Sequence, residues 1–164
     1  MKTGSSLLLF VALGLTAGGA IAQQAKPQPA AAAQQQLSPE QQAQLARFEQ
    51  QMAQAGDQVI GMVDEGKTGE LWQGASEAAK KIVDGNAFVS QVAADRKRLG
   101  NVASRERVGV TYAAYKAGGE VPEGNYVSVV YATKFTGTQQ PIRELVSFRL
   151  DEDKVWRVSG YSLR

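Results

Sequence analysis

Residues 125–136 read NYVSVVYATKFT. Val127, Val129, Tyr131, Thr133 and Phe135 fall on alternate positions, and β-branched and aromatic residues dominate. That is the pattern of a strand with one buried face. Its neighbours repeat it. Upstream, Arg105–Ala117 (RERVGVTYAAYKA) places Val108, Val110, Tyr112 and Ala114 on one face. Downstream, Arg143–Leu150 alternates Glu144, Val146, Phe148 and Leu150 against Arg143, Leu145, Ser147 and Arg149. Val155–Leu163 then puts Trp156, Val158 and Gly160 together. The connections are turn formers: Gly118–Gly124, Gly137–Pro141 and the acidic triplet Asp151-Glu152-Asp153. Four strands on short loops predict an antiparallel meander.

Before Gly100 the period is helical. Ser38 can cap, Pro39 suits the first helical position, and Gln41 can complete a capping box. Leu45, Phe48, Met52, Ala55, Val59 and Met62 then form a stripe with a period near 3.5, and Asp64-Glu65-Gly66 ends it. Gly56 and Gly61 each cost about 1 kcal/mol relative to alanine, which makes Ala55–Asp57 the place for a break. Thr68–Val83 is predicted as a second helix, with Leu71, Trp72, Ala75, Ala78, Ala79 and Ile82 on or near one face. Phe88, Val89, Val92 and Leu99 mark a third, ending at Gly100. Three N-terminal helices packed on a four-stranded antiparallel meander give an α+β fold over residues 38–164, a single domain. The stripe over residues 38–62 is expected to pack on the protein's own sheet. Its other use would be a short coiled coil holding a homo-oligomer, but about three heptads is short for that.

Upstream, residues 1–22 (MKTGSSLLLFVALGLTAGGAIA) have a basic start, an apolar run from Leu7 to Leu15, and the small-x-small pattern Ala20-Ile21-Ala22. This predicts a signal peptide cleaved after Ala22, and so a bacterial periplasmic or secreted protein with no stable membrane anchor once cleaved. The run falls short of the ~20 residues a membrane span needs. Residues 23–37 (QQAKPQPAAAAQQQL) offer little to bury and are expected to be a flexible Gln/Ala/Pro linker. The 164-residue chain has 18 Lys plus Arg against 16 Asp plus Glu, a net charge of +2, with no cysteine and no histidine. Disulfides, thiol nucleophiles, His-based triads and zinc sites built on Cys or His are excluded. The basic concentration, Arg96, Lys97, Arg98, Arg105 and Arg107, is diluted by Asp95 and Glu106 and matches a helix C-terminus, so no nucleic-acid partner is expected. No glycine-rich phosphate loop, G-x-S-x-G elbow or EF-hand loop occurs, and no metal or cofactor is expected. The triplet Asp151-Glu152-Asp153 is read as a solvated turn.

Met62-Val63-Asp64-Glu65-Gly66 and Leu71-Trp72 resemble the opening of the DUF4019 family of small exported bacterial proteins. Arg96, Leu99-Gly100 and Ser104-Arg105 follow its central pattern. Glu123–Val127, Tyr131–Phe135, Glu144 and Trp156–Tyr161 are similar to its strand motifs, in order. The resemblance covers about residues 53–164. It implies a cystatin-like or NTF2-like α+β fold and carries no assigned activity.

Among chemistry-bearing residues, Glu144 stands out because it shares a strand face with Val146, Phe148 and Leu150. A carboxylate there either finds a cation or stays protonated. As a general base, with Tyr112, Tyr126, Tyr131 or Tyr161 donating to an oxyanion, it would be the centre of a small NTF2-like enzyme. Paired with Arg105, Arg107, Arg143 or Arg157 it would instead fix strand register. The pair is the expectation, since no histidine is present to share proton traffic. Trp72 and Trp156 read as core. Tyr112, Tyr131, Phe135, Glu144 and Phe148 are the candidate lining of a pocket between sheet and helices. The expected function is a non-catalytic module that binds a small molecule or a protein partner, with the enzyme and the helix-driven oligomer as its alternatives.

Overall fold

The computed structural model describes residues 37–164; the expected signal peptide, its cleavage point at Ala22 and all but the last residue of the linker lie outside them. Strands β1 (Val102–Tyr115), β2 (Gly124–Phe135), β3 (Ile142–Leu150) and β4 (Trp156–Leu163) lie side by side in chain order. Each pairs antiparallel with the next, because the connections are too short to cross the sheet. The alternation in β2 is realised, with Val127, Val129, Tyr131, Thr133 and Phe135 almost wholly buried.

Two bulges alter the faces expected from simple alternation. In β1 the register shifts between Arg107 and Gly109, so Val108 leaves the core face and is 66% exposed. In β4 the register shifts beside Ser159, opposite Ser147 and Phe148. Val158 is therefore joined in the core by Tyr161, where strict alternation places Gly160. One inserted residue reverses the side of everything beyond it.

The helices are α1 (Pro39–Asp64), α2 (Thr68–Gln73), α3 (Glu77–Lys80) and α4 (Gly85–Leu99). α1 opens on a complete capping box between Ser38 and Gln41. It then runs unbroken through Gly56. A Cβ at Gly56 would lie 2.7 Å from the Tyr131 hydroxyl and 3.0 Å from Val129, so this glycine lets the helix approach the sheet closely. Phe48, Met52, Ala55, Val59 and Met62 of the stripe belong to, or pack against, the core that α1 shares with β2 and β3. The helix predicted over 68–83 is two short helices. The chain turns at Gly74, and Ser76 docks on β4, donating its backbone N–H to the Val158 carbonyl at 2.8 Å. α4 is capped by Asp84, which accepts from the Ala87 N–H at 2.8 Å. None of the described helices is long and apolar enough to cross a membrane.

Candidate functional site

Glu144, near the start of β3, has no exposed surface. Arg105 of β1 donates from Nε to Oε2 at 2.7 Å and from Nη2 to Oε1 at 3.3 Å. Thr133 of β2 donates its hydroxyl to Oε2, and Tyr161 of β4 donates to Oε1 at 2.6 Å. Arg96 of α4 adds a contact at 3.5 Å and also lies over the Phe135 ring, 5.1 Å from its centre. Both arginines reach onward to Asp64, the last residue of α1: Arg96 at 2.6 Å and Arg105 at 2.8 Å. All four strands and α4 thus meet at one carboxylate, and α1 is tied to it through Asp64 and the two arginines. Each Glu144 oxygen accepts two hydrogen bonds, and no buried side-chain polar atom among the described residues lacks a partner.

The electrostatics keep these groups in their pairing forms. Burial works to raise the Asp64 carboxyl, but hydrogen bonds and charge from Arg105 and Arg96 outweigh it and hold the group below 3.8. Burial, and then the Glu144 carboxylate, push the Tyr161 phenol up, so it stays a donor at neutral pH. A second phenol, Tyr131, donates to Asp57 at 2.8 Å, and Asp57 also meets Arg107 at 3.0 Å. Burial first, and then Asp57, raise Tyr131 as well. A base must offer a free lone pair to its substrate. The lone pairs of Glu144 already hold four protein donors, which makes it a junction for buried charge.

A second cluster lies at the other end of β3 and was not legible in the sequence. Asp151, read above as part of a solvated turn, is buried. It accepts from Ser76 Oγ at 2.6 Å, from Arg149 at 2.8 Å and from Arg157 at 3.3 Å. Arg149 also caps the Glu123 carbonyl at 2.8 Å. The triplet is a corner clamped by two arginines near it in the chain and closed by Ser76, 75 residues away, which strand alternation does not reveal. No group of three or more potential metal ligands occurs among the described residues.

The candidate pocket residues lie as follows. Tyr131, Phe135, Glu144 and Phe148 are buried between sheet and helices. Tyr112 stands at the sheet edge, 47% exposed, its ring 6.1 Å from that of Phe48. Trp72 stacks on Phe88 at 4.5 Å, and Trp156 meets Phe48 at 5.6 Å. Tyr126 turns away from the core and donates to the Pro122 carbonyl at 2.8 Å. Its side of the sheet holds a cavity of about 390 Å³. The register lines up Thr111, Ser128, Ser147 and Gly160 across the four strands there, and Ser128 and Ser147 share a hydrogen bond at 3.0 Å. Pro122 and Val121 of the β1–β2 loop wall one side, and Ala79 and Ile82 wall the other. Nothing in strand alternation alone marks these small outward residues as a site; the cavity arises from the loop and α3 at its rim.

The model of the DUF4019 family, described as a protein of unknown function, matches residues 55–161. The chain belongs to this family. The DUF4019 segment contains Asp57, Asp64, Arg96, Arg105, Thr133, Glu144 and Tyr161, so the whole buried network falls within the family's extent. The first turns of α1 fall outside it. No curated protein and no solved structure matches the chain.

Proposed function

We propose that this protein is an exported, non-catalytic binding module with a cystatin-like or NTF2-like arrangement, and that its ligand sits on the open face of the sheet. The observation that carries the reading is the cavity of about 390 Å³ over Ser128, Ser147 and Gly160, on the face opposite α1. Its volume is in the range of small-molecule sites. Its floor offers hydroxyls and backbone rather than charge, with one acid, Glu120, and one base, Arg164, on its lining. With Ile82, Val121, Pro122 and Leu145 around those hydroxyls, such a surface suits a neutral, partly apolar ligand that carries hydroxyl or amide groups. The engagement of Glu144 by Arg105, Thr133 and Tyr161 supports binding over catalysis.

The test is native mass spectrometry of the chain purified from its own periplasm without refolding, beside Ser147→Trp, whose indole fills the cavity. The expected result is a chain starting at Gln23 that carries a small-molecule adduct, with the adduct absent from Ser147→Trp. A bare wild-type chain, or equal retention by both, would overturn the ligand site. A chain still starting at Met1 would overturn export.

A further inference from the structure

β1 is the longest strand, and among the described residues only β2 pairs with it. Bare strand edges invite pairing, and proteins guard them with charge, bulges or covering chain. The β4 edge is guarded by Ser76, whose N–H takes the Val158 carbonyl at 2.8 Å, and by α3 beside it. The first half of β1 is guarded by Arg105, Glu106 and Arg107 and by the bulge at Val108. The second half, Gly109–Tyr115 (GVTYAAY), is straight and contains no charge and no proline. It is flanked or populated by exposed apolar side chains: Val108 at 66%, Tyr112 at 47% and Tyr115 at 44%.

We propose that a second copy of this chain occupies that edge, β1 pairing antiparallel with its counterpart about a twofold axis through Tyr112. Residues paired across a twofold normal to the sheet must share a face, so the axis passes through a residue, and Tyr112 is the midpoint of the straight run. In that register Gly109 of one protomer faces Tyr115 of its partner on the open side. A Cβ at Gly109 would touch nothing within 4 Å, which leaves room for the ring. Thr111 faces Ala113, and on the helix side Val110 faces Ala114. Two Phe48–Tyr112 pairs, each with rings 6.1 Å apart, then meet at the axis, with the partly exposed Leu45 one turn along α1 from Phe48. Lys116 meets Val108, so no like charges are opposed. The two sheets join into one of eight strands, and the pairing does not depend on the cavity ligand.

The experiment is sedimentation velocity of the mature chain and of the variants Tyr112→Lys and Tyr112→Glu, with circular dichroism to confirm that each is folded. Wild type is expected to sediment as a dimer. Each variant alone is expected to be monomeric, with dimerisation weakened roughly a hundredfold or more by like charges at the axis. An equimolar mixture of the two variants is expected to recover a heterodimer. A monomeric wild type at roughly 100 µM, well above the micromolar affinity of weak specific interfaces, overturns the proposal. So do variants that dimerise as wild type does, or a mixture that stays monomeric. If either variant is unfolded, Ala114→Lys puts the question differently, since this exposed residue faces Val110 of the partner and a charge there would be buried against an apolar neighbour: a dimer as tight as that of wild type overturns the proposal.

Discussion

At the scale of single residues, Glu144 governs how the four strands meet. Its carboxylate is wholly buried and holds Arg105, Thr133 and Tyr161, while Arg105 and Arg96 go on to Asp64. Removing one member of such a pair leaves the other charge without compensation in a poorly solvated place, at a cost of ~3 kcal/mol or more. Glu144→Gln keeps the shape and removes the charge, so urea unfolding should show a loss of that size; a midpoint within error of wild type would contradict the structural role. The sequence marks Glu144 because a charge on an otherwise apolar strand face is conspicuous. It also names Arg105 among the partners. It does not reveal Arg96, which in isolation reads as a solvated residue favouring the end of a helix dipole. Which way a long guanidinium stem turns is decided by Asp64 and Phe135, and nothing local to Arg96 encodes them.

At the scale of elements, α1 has two halves under different constraints. From Met52 onward it is held by the core, with Gly56 set against Tyr131 and Val129. From Pro39 to Arg47 every residue is exposed, so this stretch depends on its own hydrogen bonds and on the Ser38–Gln41 box. Ser38→Ala removes a cap worth ~1 kcal/mol. Because the first turns can open without disturbing the core, that loss should stay local. Amide hydrogen exchange over residues 40–47 is expected to quicken several-fold while the global urea midpoint is unchanged; a matching fall in global stability would show that these turns are coupled to the sheet. The capping box was legible because its signal is four residues long. The bulges at Val108 and Ser159 were not, because an inserted residue leaves no local mark on an alternating run. Yet the second bulge is what carries Tyr161 to Glu144. The split of the 68–83 helix was hidden for a related reason: its cause is Ser76, which docks on Val158 of β4 and donates to Asp151, 75 residues away.

At the scale of the whole molecule, the two ends of β3 are closed by separate arginine–carboxylate clamps, Glu144 with Asp64 at one end and Asp151 with Arg149 at the other. The clamps respond to acid in the same direction. Burial works to raise both Asp64 and Asp151, but the arginines, with Ser76 at Asp151, bring each carboxyl below its ordinary 3.8. Asp153, hydrogen-bonded to Arg157, is held down to about 2. A carboxyl with a depressed folded pKa binds its proton more readily once the chain unfolds. The stability it contributes is therefore complete above the unfolded value and lost as pH falls through the folded one. The urea midpoint is thus expected to be level from pH 7 to about 5 and then to fall steeply between about pH 4 and pH 2. Asp64→Asn combined with Asp151→Asn should lower the plateau, because arginines lose their partners, and also flatten the acid limb, because fewer protons are taken up on unfolding. A double variant with a lower plateau but an acid limb as steep as wild type would place the titrating groups elsewhere, and the clamps would then be passive in acid. The two changes must occur together, since the same charges that close the ends of the sheet are the ones that acid removes.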